Sequence, residues 1–478
     1  MRQICIHGHF YQPDRIDPWT GRVPRQRSAA PYHDWNERVN VECYAPNAAA
    51  RPPGPDGSVA RAVSNYERIS FDFGPTLLAW LELNATDTYR AVLDADRAGR
   101  DRFGGHGPAI AQGWAHSILP LDSERDRRTQ VAWGIHDFER RFGRRPEGLW
   151  LPETAVDVPT LETLAGFGMR FTVLAQHQAE TADPRRPSLC HLPSGRSIAL
   201  FLYNGTISHD AAFGTMLDDG DEFAARLLAV PSDDDAGLTH IATDGETYGH
   251  HHESGELALA RCLESLDGNP TARLTVYGEH LDRFPPTGKA RLLANTSWSC
   301  DHGVERWRAD CGCATGAHPN WNQRWRAPLR EAMEWLRDRI AEPFEERLAG
   351  LIGDPWAARD DYVSVVLDHS GAETDRFLAE HRTTNLPPAD RTRALGLFEM
   401  QRFELLMFSS CGWFFDDLTE LSTVQNIRCA ARAIELCREH TGTDLEPGYL
   451  DILGRATSNN DRAGSGADVY RGLTRPRT

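Results

Sequence analysis

Lysine is almost missing from this chain: Lys289 is the single one among 52 basic residues, and the rest are arginine. That imbalance reads as coding bias rather than function. Net positive charge is missing as well. The formal net charge is −17, and an acidic surface repels nucleic acid and anionic lipid, which argues against both as partners. No apolar run approaches the roughly 20 residues of a membrane span. The opening MRQICIHGHFYQP has too short an apolar core and no small-residue cleavage site, so a secretory signal is not expected there. Without such a signal, the ten cysteines are expected to be reduced thiols of a cytoplasmic protein, and their spacing shows no disulfide framework. No internal repeat is found.

What is present is a globular composition, 40% hydrophobic and 25% charged, in 478 residues. Short apolar runs, QICIHGHF, GLWLPE, RFTVLA, IALFLYN and LTHIATDG, alternate with amphipathic segments such as TLLAWLELNATDTYRAVLDADR and ERDRRTQVAWGIHDFERRFG. That alternation predicts an α/β fold with a parallel sheet. The runs end in polar groups: His7 and His9, Glu153, Asn204, then Asp244 and Glu246. Convergent polar residues at strand C-termini are the pattern of a barrel's active face. Beyond about residue 290 the character changes to a Trp- and Cys-rich stretch and then long helical patterns. The reading is a barrel over 1–290, an α-helical region over 291–455 and a frayed tail over 456–478, with RPPGPDGS (51–58) as a loop.

Glu153 directly follows an apolar strand behind Trp150 and Pro152, which suits a nucleophile or base on a rigid element. Asp244 and Glu246 are close enough in sequence for one to raise the other's pKa. A protonated carboxyl facing an ionised one is the requirement of glycoside cleavage, at about 5–5.5 Å for retention and farther for inversion. Glu153 and Asp244 are the candidate pair. A rival reading takes His7, His9, His250 and Asp244 as zinc ligands of a metal-dependent deacetylase or amidohydrolase; it leaves Glu153 without a role. Cys300, His302, Cys311 and Cys313 do not follow a standard zinc spacing, and reduced thiols around Gly312 are favoured over a structural metal. Trp298 and Trp307 are candidates for stacking on sugar or for holding the core.

These residues resemble glycoside hydrolase family 57. GLWLPET is similar to the family's nucleophile motif and DGETYGH (244–250) to its acid motif; AHSILPL (115–121) reads like a motif of its branching enzymes, and HGHFYQP resembles its first, His-Gln-Pro, motif with two residues inserted. The resemblance implies a distorted (β/α)7 barrel followed by a helical bundle, and retaining chemistry on α-glucans, by hydrolysis or transfer, without cofactor or metal. It implies Glu153 as nucleophile and Asp244 as general acid/base, with His7, His9, Gln12, His116, Trp150, Glu246, His250, Trp298 and Trp307 binding an oligo- or polysaccharide. An inactive carbohydrate-binding homologue is the other alternative. The chain looks closest to a bacterial subgroup that often carries a further C-terminal domain of unknown function, which this chain is expected to stop short of.

Overall fold

The computed structural model describes residues 1–52, 61–231 and 234–474; residues 53–58 of the expected loop at 51–58 lie outside the described residues. The chain forms two compact units. The first comprises Met1–Gln12, Arg25–Gly113 and Phe138–Ala294, the second Pro13–Pro24, Trp114–Asp137 and Asn295–Thr478.

Seven strands of the first unit form a ring: β1 (Arg2–Phe10), β2 (Ser70–Phe73), β3 (Ala111–Gln112), β4 (Leu149–Trp150), β5 (Phe171–Ala175), β6 (Ser197–Tyr203) and β7 (Leu238–Asp244). β1 pairs in parallel with β7, from Gln3↔Leu238 to His9↔Asp244, and with β2, from His7↔Ser70 to Phe10↔Phe73. Phe71 bridges to Ala109 just ahead of β3, β3 pairs with β4, and Gly148 bridges to Phe171 of β5. β5 pairs with β6, and the Asn204 N–H after β6 donates to the His240 carbonyl in β7 at 2.9 Å. The ring therefore closes in chain order. It is distorted at two places. Ala272–Leu274 pairs with Arg2–Ile4 at the start of β1, and Ser188–His191 runs antiparallel to the first half of β6.

Burial explains why the strands read as apolar runs. In β1 every residue after Arg2 is buried, and β7 is buried from Leu238 to Thr243, leaving only Asp244 accessible. Such strands are covered on both faces, as parallel strands are. Five of the seven were legible on that ground. Ser70–Phe73 and Ala111–Gln112 were not.

The helices follow their local signals. Asp157 caps Val158–Gly166 by accepting the Thr160 N–H, and Pro159 sits in the first turn. The single segment expected at 76–97 is two helices, Pro75–Asn84 and Thr86–Arg102, broken at Ala85 (φ −141°, ψ 56°).

Among the described residues no strand lies beyond Leu292. The second unit packs helices Arg326–Leu348, Pro388–Leu406 and Leu421–Thr441, and Gly442 ends the last of these at φ 81°. Arg359 is buried there with donors to Asp126, Thr129 and Gln401, each at 2.8 Å. The tail read as frayed is ordered where described: Gly466–Thr474 is helical and Tyr470 is 2% exposed. Its low apolar content hid a short helix that buries Ala467 and Tyr470.

Candidate active site

The C-terminal rim of the barrel collects the ionisable groups. His7 and His9 lie two apart on β1 and so share a face. Both turn to Asp72 on β2, a fully buried carboxylate: His7 Nε2 is 3.0 Å from Oδ1 and His9 Nδ1 is 2.8 Å from Oδ2. Ser70 Oγ meets the other nitrogen of His7 at 3.1 Å. Trp150, at the end of β4, stacks on both rings, 4.7 Å from His7 and 5.2 Å from His9. Trp150 was expected against a sugar face. It is fully buried instead, so its indole packs the histidine pair into place.

Register brings the acids to the histidines. His9 is the partner of Asp72 on one side and of Asp244 on the other. In-register residues of parallel strands point the same way, so three ionisable groups stand in one row across β2, β1 and β7. Solvent reaches Asp244, but protein surrounds it densely. That environment pushes its pKa up to about 7: burial acts first, His9 pulls against it, and the charges of Glu246, Glu153 and Asp72 add to the rise. Burial works against a charge on His9. Asp72, by its charge and its hydrogen bond, together with Asp244 and Glu246, overrides burial and raises the His9 pKa to about 9. His7 moves the opposite way, since burial outweighs the pull of Asp72 and the charge of His9 adds to the fall.

Glu153 follows β4 in a tight turn, Pro152–Thr154, with left-handed backbone: φ is 56° at Glu153 and 50° at Thr154. A non-glycine residue there costs roughly 1–2 kcal/mol. The turn is held by Gln178, which is fully buried. Its amide donates to the Thr154 carbonyl at 2.7 Å, and its Oε1 accepts from Thr154 Oγ1 at 2.9 Å and from the Ala175 N–H at 2.8 Å. Glu153 is only 8% exposed, and its charge reaches Asp244 across the rim.

Glu246 lies one turn past the strand end, in Gly245–Thr247, and not on the strand beside Asp244. Gly245 is required between them: a Cβ there would come within 2.2 Å of the Phe10 ring. Glu246 Oε1 accepts from the Tyr44 hydroxyl and from the Tyr11 N–H at 3.2 Å, and burial raises its pKa. Gln12 hydrogen-bonds Tyr44 and gives its carbonyl to Thr76 Oγ1 at 2.7 Å. His250 pairs with Glu42 and lies edge-on to Trp35. Gly249 brings the chain against Glu42, where a Cβ would sit 2.4 Å from the Glu42 carbonyl oxygen.

The first unit thus gathers His7, His9, Gln12, Trp150, Glu153, Asp244, Glu246 and His250. His116, Trp298 and Trp307 fold in the second unit. His116 is buried at φ 56°, with Nδ1 2.7 Å from Ser410 Oγ and its carbonyl on the Ser410 N–H. Trp307 is fully buried and belongs to that unit's core, while Trp298 is half-buried. Sequence reading missed Asp72, Tyr44, Glu42 and Gln178. The only local trace of Asp72 is an acid inside an otherwise apolar run, ISFDFG.

Residues 107–292 match the model of glycosyl hydrolase family 57, and residues 321–478 match a domain of unknown function, DUF3536. The further domain expected beyond this chain is thus within it. The chain is 23% identical over 236 residues to a 4-alpha-glucanotransferase of Thermococcus litoralis, covering 47% of this chain and 34% of that protein; the match spans about a third of that relative's length. Among solved structures it is similar to an exo-type maltose-forming amylase of Pyrococcus sp. ST04 (TM-score 0.73, 15% identity, 100% of this chain and 89% of that one). It is also similar to a branching enzyme of Pyrococcus horikoshii (TM-score 0.59, 15% identity, 99% and 94%). At such identities the structural likeness speaks for the fold, a (β/α)7 barrel followed by helices. The family resemblance thus rests on residues 107–292, which are similar to glycosyl hydrolase family 57.

Proposed function

We propose that this protein is a retaining carbohydrate-active enzyme acting on α-glucans, by hydrolysis or by transfer to a second sugar. Glu153 attacks the anomeric carbon while Asp244 gives its proton to the departing glycosidic oxygen, leaving a glycosyl-enzyme. Asp244, now ionised, takes a proton from water or from an acceptor hydroxyl as that oxygen displaces Glu153. His7, His9, Gln12, Glu246 and His250 hold hydroxyls of the reacting sugar or the groups that do. The observation that carries this reading is the pairing at the rim. Burial, with the charges of Glu246 and then Glu153, pushes the Asp244 pKa up to about 7, and Glu153 sits on a strained and clamped turn. The names of the relatives, an amylase, a glucanotransferase and a branching enzyme, support an α-glucan as substrate. Free thiols at all ten cysteines support a reducing, cytoplasmic setting, and no described helix is long and apolar enough to cross a membrane.

The test is product analysis after incubating the chain with amylose, maltooligosaccharides and glycogen, resolving shorter chains from new branches. Glu153→Gln is expected to abolish turnover with the fold intact. Undiminished activity of that variant removes the assignment.

A further inference from the structure

The segment between Leu292 and Arg326 has little of its own to hold it. Among its residues the only regular element is the three-residue turn Glu305–Trp307. Yet it contains three cysteines and a histidine whose ligand atoms, one each from Cys300, His302, Cys311 and Cys313, lie within 4.8 Å of one another. Cys313 Sγ is 3.7 Å from Cys300 Sγ and 3.6 Å from His302 Nδ1. For a tetrahedral zinc with Zn–S of about 2.3 Å and Zn–N of about 2.05 Å, the ligand–ligand edges are about 3.8 Å between sulfurs and about 3.5 Å from sulfur to nitrogen. The observed spacings match those edges. They are too long for a disulfide, and all the cysteines carry free thiols.

We propose that Cys300, His302, Cys311 and Cys313 form a closed structural zinc site. Two turns deliver the ligands. The Gly303 N–H donates to the Cys300 carbonyl at 3.0 Å, which folds Cys300 and His302 into one turn. Gly312, at φ 83°, reverses the chain between Cys311 and Cys313. Neither Cys-x-His nor Cys-x-Cys is a common zinc spacing, and for that reason sequence reading set the metal behind reduced thiols. The outer partner is present too. Arg326 is fully buried, and its Nη1 donates to the Cys313 carbonyl at 2.9 Å and lies 3.9 Å from Cys311 Sγ. Three thiolates, a neutral imidazole and a divalent cation sum to one negative charge, which the guanidinium offsets. Four protein ligands leave no open position, so the metal's role is to pin the loop.

The full chain is purified under reducing conditions, treated with chelator, reloaded with Zn²⁺ and freed of excess. One zinc per chain is expected. Cobalt in its place is expected to show the absorption of a tetrahedral thiolate centre. Alkylation mapped by mass spectrometry is expected to spare Cys300, Cys311 and Cys313 in the zinc form and to modify them after chelation. His302→Ala, a change at an exposed side chain, is expected to weaken zinc retention against a chromophoric chelator by at least roughly tenfold. Failure of the wild-type chain to hold zinc, or zinc that leaves those three thiols open to alkylation, overturns the proposal.

Discussion

His9 stands in register with Asp244 on the neighbouring strand, and its own hydrogen bond, 2.8 Å from Nδ1, goes to Asp72 on the other side. The imidazole, its pKa raised to about 9, is thereby placed beside the Asp244 carboxyl. Its charge limits how far burial and the surrounding carboxylates raise Asp244.

A pH profile checks this. With Asp244 protonated below about 7, kcat/KM is expected to fall as pH rises through that value, because the acid form is lost. His9→Gln removes the cation, so the Asp244 pKa rises further and the alkaline limb moves to higher pH, whatever happens to the maximum rate. A limb that stays in place or moves down would show that His9 does not act on Asp244.

The same groups set a stability trend. His9 is raised to about 9 in the folded chain, so its contribution is full below the unfolded value of about 6.5 and is lost as pH rises through about 9. Asp244, also raised, favours the folded state below about 3.9 and loses that contribution on the way to about 7. Chemical denaturation at pH 6 and pH 9.5 is expected to give a lower midpoint at the higher pH, and His9→Gln is expected to narrow the difference.

The Gln178 side chain holds the strained turn and the end of β5. Gln178→Ala leaves the Thr154 carbonyl and hydroxyl without these partners, at a cost of about 1–3 kcal/mol in urea unfolding. Turnover is expected to drop more than substrate binding, since the turn positions Glu153. A pure loss of binding at full turnover would assign Gln178 a different role.

Glu153 itself is under strain at φ 56°. Glu153→Asn, a residue that tolerates the left-handed region, is expected to unfold at an equal or higher temperature than wild type while being inactive. Glu153→Val is expected to be less stable than the Asn variant by about 1–2 kcal/mol. Equal stability of the two variants would mean the turn relaxes.

In the second unit, Arg359 is the buried partner of Asp126 at 2.8 Å, with Glu404 at 3.6 Å. Arg359→Met removes the buried partner of Asp126 and Glu404 and is expected to cost about 3–5 kcal/mol. Urea midpoints of the variant and the wild-type chain measure it.

Local physics was readable along the chain. Buried parallel strands are apolar throughout, so five of seven announced themselves, and the residues that break such a run at its end, His9, Glu153 and Asp244, were found because a rim residue is the first one free to be polar. The helix caps at Asp157 and Gly442 each act on their own turn. What only tertiary structure decided is which of these meet. Asp72 reaches His9 from 63 positions away and Tyr44 reaches Glu246 from 202, through strand register and a closed ring that no window of sequence contains. Packing also buried Trp150 against His7 and His9 and drew Cys300, His302, Cys311 and Cys313 within 4.8 Å of one another. Hydrophobic periodicity encodes which face is buried, but not against what, and a site is made of the second kind of information.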